Sequence, residues 1–204
     1  MLLDAKDFEK WVATSDSDHN QGASTANLER SAAGHGLFSG NLSADLPKDG
    51  RIKKSGYCNI RSQRARKSFK RECYLDWTQY NMLVLRVRGD GRPYMINITT
   101  EGYFDISWND IYHYVLHTRG GPHWQTTKIP FSKFFLSSKG RVQDKQFPIP
   151  LNKVTNLGFS VSGRGGFEGN FNLEIDFVGL EFDPNHTEEF AYEMYKQDKY
   201  IVAT

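Results

Sequence analysis

Cysteine is nearly absent from this chain of 204 residues: Cys58 and Cys73 are the only two. One pair cannot form the disulfide framework that staples small secreted domains, and a reducing compartment is expected. Long apolar runs are also absent. No stretch approaches the roughly 18–20 apolar residues of a membrane-spanning helix. The opening "MLLDAKDFEKW" has too short an apolar run for a secretory leader. It is also too acidic and too poor in Arg for a mitochondrial presequence, so either the protein stays where it is made or this is a mature form whose leader was removed.

Catalytic signatures are missing as well. There is no G-x-S-x-G, no Cys–His pairing and no carboxylate pair with its own spacing, which leaves an enzyme reading without positive support. "SGRGGFEG" is glycine-rich but lacks the Lys-Ser/Thr of a phosphate loop and no helix follows it. It reads as a connection between strands. Between Arg51 and Arg71 acidic residues are lacking altogether: nine Lys/Arg stand there without one Asp or Glu. Net charge is only +2, so the remainder of the chain is net acidic. This basic segment reads either as a solvated loop or as a surface for phosphates, anionic lipid head groups or an acidic protein face, with protein or lipid ranked above nucleic acid. Phe69 and Tyr74 are too few for an aromatic platform that would bind nucleic acid.

What is present is aromatic and alternating. Hydrophobic residues make up 38% and aromatic residues 14%, enough to build a packed core. Leu83, Leu85 and Val87 alternate with Arg86 and Arg88. Tyr94, Ile96 and Ile98 alternate with Met95, Asn97 and Thr99. Phe171, Leu173, Ile175 and Phe177 alternate with Asn172, Glu174 and Asp176. Period two places one face in a core and the other in water. Further strands are expected at 23–31, 35–44, 55–62, 111–119, 123–129 and 155–162. About nine strands with no helix between them predict an all-β antiparallel sandwich or barrel. Short helices are expected at 4–11 and after Pro184, where Thr187 would be the N-cap. The sandwich domain would cover 1–182 and a C-terminal helical extension 183–204.

Several motifs have competing readings. Arg88-Gly89-Asp90 matches an adhesion tripeptide, but Asp90-Gly91 between two alternating runs predicts a hairpin turn. Asp16, Asp18 and Asn20 are spaced like the start of a calcium loop. Gln21 then stands where glycine is needed, so a polar turn is preferred. His113, His117 and His123 suggest zinc, yet residues four apart on a strand lie about 13 Å apart. Surface or half-buried histidines are expected instead.

The ordered series "WVATSDSD", "GLFSGNLS", "GYCNIRS", "YNMLVLRVRGDGRPYMINI", "HTRGGPHWQTTKIPFSKF" and "LGFSVSGR…GNFNLEIDFVGL" resembles the complex I intermediate-associated protein family from Trp11 to Glu181. The resemblance implies a galactose-binding-like jelly roll, no catalysis and no cofactor. It implies an assembly factor for NADH:ubiquinone oxidoreductase, peripheral to the inner mitochondrial membrane on the matrix side. Its implied partners are membrane-arm subunits, an acyl-CoA-dehydrogenase-like protein and the Toll-pathway signalling intermediate homologue, and not nucleic acid. Arg86, Arg88, Asp90, Arg92, Asn97, Thr118, Arg119, Trp124 and Phe131 match the family pattern. Partner-binding candidates are Arg61, Arg64, Arg66 and Lys67 in the basic run, with Arg92, Tyr112, Tyr114, Arg119 and Trp124. A carbohydrate-binding module is the alternative, with Trp108 or Trp124 as the stacking ring. An enzyme acting on a nucleotide or sugar ranks third.

Overall fold

The structure is a computed structural model that describes residues 8–46, 55–66, 69, 73–102, 110–163 and 167–192. Within them, twelve strands form: β1 (Trp11–Ser15), β2 (Thr25–Arg30), β3 (Gly36–Leu42), β4 (Tyr57–Ser62), β5 (Met82–Gly89), β6 (Pro93–Thr100), β7 (Asp110–His117), β8 (Gln125–Pro130), β9 (Phe135–Ser138), β10 (Arg141–Val142), β11 (Val154–Ser162) and β12 (Gly169–Glu181). They build a seven-stranded sheet, β1-β4-β11-β6-β7-β9-β10, and a five-stranded sheet, β2-β3-β12-β5-β8. Every pairing is antiparallel. The sandwich expected from period two is present, and the alternating runs of β5 and β6 bury the residues assigned to the core. Phe38, Leu83, Leu85, Ile96, Ile98 and Phe159 lie fully buried between the layers.

Asp90-Gly91 does not close a hairpin. β5 pairs with β12 and β8, whereas β6 pairs with β11 and β7 in the other sheet. The chain therefore arches from one layer to the other. Turn residues that permit a hairpin permit an arch as well, because both need a tight reversal and a positive φ, here 94° at Gly91. The "RGGP" segment is a second arch, from β7 to β8, and the two touch. Thr118 ties them, donating from its hydroxyl to Arg92 O at 2.8 Å and accepting from Gly91 N at 3.0 Å. A Cβ on Gly89 would stand 2.5 Å from Thr118, so this packing requires glycine there.

The third alternating run is also corrected. Register shifts between Ile175 and Phe177, where Asp176 is the extra residue of a β-bulge. Beyond the bulge the phase inverts: Val178 and Leu180 pair with Leu85 and Leu83. Val178 is buried, and Phe177 is left half-buried opposite Arg86.

The flanking helices differ from expectation. Phe8–Lys10 is a single 3₁₀ turn. Trp11 already pairs with Ser62 in β1 and its ring lies 6.1 Å from that of Phe159, so burial of the indole favours the strand. Residues 1–7 lie outside the described set. After Pro184 the described residues to 192 are not helical, and Thr187 caps nothing. Phe190, 3% exposed, anchors this segment on the sandwich. Ser132 donates to Glu188 Oε2 at 3.0 Å and its carbonyl accepts from Ala191 N at 3.1 Å. The rest of the expected helix falls outside the described residues. Cys58 and Cys73 are free thiols, and burial together with Asp16 and Asp18 pushes Cys58 up to about 12.

Candidate functional site

The outer face of the five-stranded sheet carries the densest polar assembly. Arg88 on β5 stands directly opposite Glu174 on β12 and forms an ion pair with it. The Asp176 bulge brings its carboxylate 2.9 Å from Arg86 and 3.1 Å from His35 Nδ1. Ser31 donates to Glu174 Oε1 at 2.8 Å. Burial pushes the Glu174 carboxyl up, but the bonds from Ser31 and Arg88 and the nearby cations outweigh it and hold the group below its ordinary range. Trp124, just before β8, lies against this lattice. Its ring centroid is 5.3 Å from the Arg86 guanidinium, 5.1 Å from that of Arg88 and 4.9 Å from the His35 ring. Contacts of this kind contribute about 0.5–1 kcal/mol each at exposed sites. Together they hold a half-buried indole in one orientation. A recess of about 310 Å³ adjoins it, lined by Leu37, Asp90, Pro122 and Asn172 among others.

The adhesion reading of Arg88-Gly89-Asp90 fails on the same geometry. Asp90 Oδ1 accepts from Arg92 N at 3.1 Å, and Oδ2 from Asn172 N at 3.2 Å. Tyr94 Oη lies 3.1 Å from Asp90 Oδ1 and 2.9 Å from Asn172 O, and burial followed by the Asp90 charge raises its pKa. Arg92, a partner-binding candidate, is likewise turned inward. Its guanidinium donates to Phe167 O at 2.7 Å and Glu168 O at 3.3 Å, and its Nε meets Asp90 at 3.2 Å. It clamps the start of β12 to the arch and is not a free anchor.

Of the other candidates, Tyr112 is core. It is buried, its hydroxyl donates to Pro148 O at 3.3 Å, and burial and Asp110 push it up to about 12. Tyr114 is half-buried with its ring 5.6 Å from Phe134. Arg119 is exposed on the second arch. Arg61, Arg64 and Arg66 gather with Lys10 around a separate basin, and Lys67 and Trp108 lie outside the described residues. The sequence reading missed Ser31, His35, Glu174, Asp176 and Lys10. Its available signal was charge complementarity: Arg86 and Arg88 share a parity, as do Glu174 and Asp176.

The calcium-loop candidates are occupied by the protein itself. Asp16 is fully buried and accepts from Ser24 N at 2.9 Å, Gly56 N at 2.6 Å, Ser24 Oγ at 3.2 Å and Tyr57 N at 3.4 Å. Asp18 accepts from Ser15 N at 2.7 Å. These carboxylates face donors, which repel a cation, and Asn20 ends a 3₁₀ turn in the left-handed region. Asp16 pins the β1–β2 connection to the start of β4.

His113 belongs to a chain across the outer face of the seven-stranded sheet. Asn97 Nδ2 donates to Ser160 Oγ at 2.9 Å, so its Oδ1 accepts from His113 Nδ1–H at 2.7 Å. Ser137 Oγ then donates to Nε2 at 2.6 Å. The order Ser–His–Asn has the shape of a nucleophile relay but not its chemistry. A carboxamide supplies no charge to stabilise an imidazolium, burial lowers the imidazole to about 4, and Ser137 is 5% exposed. The chain links β11, β6, β7 and β9. His117 and His123 are exposed elsewhere, and no metal-holding group of three His, Cys, Asp or Glu occurs among the described residues.

Comparison with solved structures agrees with the fold. A family 11 carbohydrate-binding module from Clostridium thermocellum, in complex with a mixed-linked tetrasaccharide, superposes with a TM-score of 0.57 at 17% identity. The match covers 90% of this chain and 96% of that one. At this identity the likeness shows a shared galactose-binding-like architecture alone. Sequence relatives are much nearer. Complex I intermediate-associated protein 30, mitochondrial, of Drosophila melanogaster is 69% identical over 97% of this chain and 67% of its own length. The Mus musculus protein of that name is 48% identical over 92% of this chain and 57% of its own length. The chain thus spans between half and two thirds of these relatives. The model of the complex I intermediate-associated protein 30 family matches residues 2–175, and the chain belongs to that family.

Proposed function

We propose that this chain acts without catalysis as an assembly factor of mitochondrial respiratory complex I. It binds a membrane-arm intermediate on the matrix side of the inner membrane, together with other assembly factors such as an acyl-CoA-dehydrogenase-like protein and the Toll-pathway signalling intermediate homologue. Family membership supports the process. One observation supports capture of a polypeptide: the Trp124 indole held by Arg86, Arg88 and His35 on an outer sheet face. Trp and Arg are the residues most enriched at binding hot spots, and side chains already immobilised lose little entropy on docking. A carbohydrate-binding reading needs an open aromatic ring, whereas two guanidinium groups and an imidazole lie against this one.

The test is complementation. In cells depleted of the endogenous protein, re-expression of the wild-type protein is expected to restore assembled complex I on native gels. Trp124→Ala is expected to restore less than about half of it while remaining folded, since truncating a hot-spot residue costs about 2 kcal/mol or more of binding. Normal complex I without the protein would defeat the assembly role. Full rescue by Trp124→Ala would defeat the assignment of the surface, and binding to a glycan array would favour the carbohydrate reading.

A further inference from the structure

A second surface lies away from Trp124, where the 3₁₀ turn at Phe8–Lys10, the end of β4 and the segment before β5 meet. It is an open basin of about 930 Å³. Lys10, Arg61, Arg64 and Arg66 stand around it, and Leu157 and Trp77 contribute an apolar floor. Arg64 is neutralised by Glu101 at 2.5 Å. The side chains of Arg61 and Arg66 are exposed and have no hydrogen-bonding or ionic partner among the described residues. Within this floor Trp77 is only 2% exposed, and its indole Nε1 has no acceptor among the described residues. One wall is β1, the edge strand of the seven-stranded sheet.

We infer that this basin binds an extended acidic peptide of a partner protein, with carboxylates on Arg61 and Arg66 and an apolar side chain on the Trp77–Leu157 floor. Cations beside an apolar floor match a segment that alternates acidic and apolar residues, the pattern of an extended chain beside a sheet edge. Arginine binds carboxylates through paired hydrogen bonds. A flat lipid surface would not reach the floor of a recess. The inference rests on the reading of this chain as a protein-binding factor, but binding in vitro does not depend on complex I assembly, so the two fail separately.

The test is fluorescence anisotropy with the purified chain and a short labelled peptide alternating glutamate and leucine. Saturable binding is expected, weakened by added salt. The double variant Arg61→Glu/Arg66→Glu is expected to weaken it at least about ten-fold, because reversal turns two attractions into repulsions. Its melting temperature should stay near wild type, as both side chains are exposed. Arg119→Glu, an exposed residue of the second arch that does not line the basin, should bind as wild type. In the unaltered protein, nitrogen-15 spectra should show the Trp77 indole N–H resonance shifting on titration, because its ring forms part of the floor, a readout independent of any variant. Absence of peptide binding would overturn the proposal. So would equal binding by the double variant, a stationary Trp77 resonance, or affinity only for cardiolipin-containing vesicles or for inorganic pyrophosphate.

Discussion

Asp16→Ala is expected to destabilise the protein by about 3–5 kcal/mol, the scale for breaking a buried, charge-assisted network by removing one member. The carboxylate is fully buried and gathers donors from Ser24, Gly56 and Tyr57, three residues on two separate segments. Alanine would strand those donors without water to replace the lost acceptor. Asn would keep the shape but turn an NH₂ towards other N–H groups, so Asp16→Asn should recover only part of the loss. Gly22 packs closely against this carboxylate, and a Cβ there would sit 2.1 Å from Asp16 Oδ2. In a domain of this size the loss corresponds to a melting temperature lower by roughly 10 °C. Thermal and urea unfolding would measure it. A shift under about 2 °C would refute the structural role, and a rise in melting temperature on adding calcium would restore the cation reading.

The second large effect is acid sensitivity through His113. Burial holds its imidazole near 4, below the ordinary 6.5. In the unfolded chain the group takes up a proton at a higher pH than in the fold. The unfolded state therefore binds more protons between those values, and stability rises with pH across the window. This contribution is complete above pH 6.5 and is lost as pH falls towards 4, amounting to about 3 kcal/mol. His113→Gln removes the titrating group while keeping a side chain that can hydrogen-bond to Asn97 or Ser137. Urea unfolding at pH 7, 5.5 and 4.5 should show a shallower loss of stability in the variant. Parallel curves for the two proteins would show that this histidine does not set the acid limit.

Much of the candidate surface was legible in part. The basic run was visible as a charge imbalance, yet its separation into a neutralised Arg64 and side chains of Arg61 and Arg66 without a partner among the described residues depends on Glu101, which is remote in sequence. Trp124 was visible as an aromatic in a strand context. Its partners His35, Arg86 and Arg88 come from two other strands' ends and faces, and no spacing within the chain announces them. Arg92 and Tyr112 looked like anchors because Arg and Tyr are favoured at interfaces. The same chemistry serves interiors, where Arg92 clamps carbonyls and Tyr112 fills core.

The residues alone determined that the chain makes strands, and which side of most strands faces apolar neighbours, because alternation is a local property that any two-layered packing must satisfy. The choice of layer was left open. Both sheets line one core, so a strand's pattern is the same in either, and a glycine that can reverse a hairpin can equally carry the chain across. Only the assembled sandwich decided that β5 and β6 part company at Gly91, that the Asp176 bulge exchanges Phe177 for Val178 in the core, and that Asp16 meets donors instead of a cation. Those outcomes depend on backbone groups brought together from distant segments, whose positions exist only once the layers have packed.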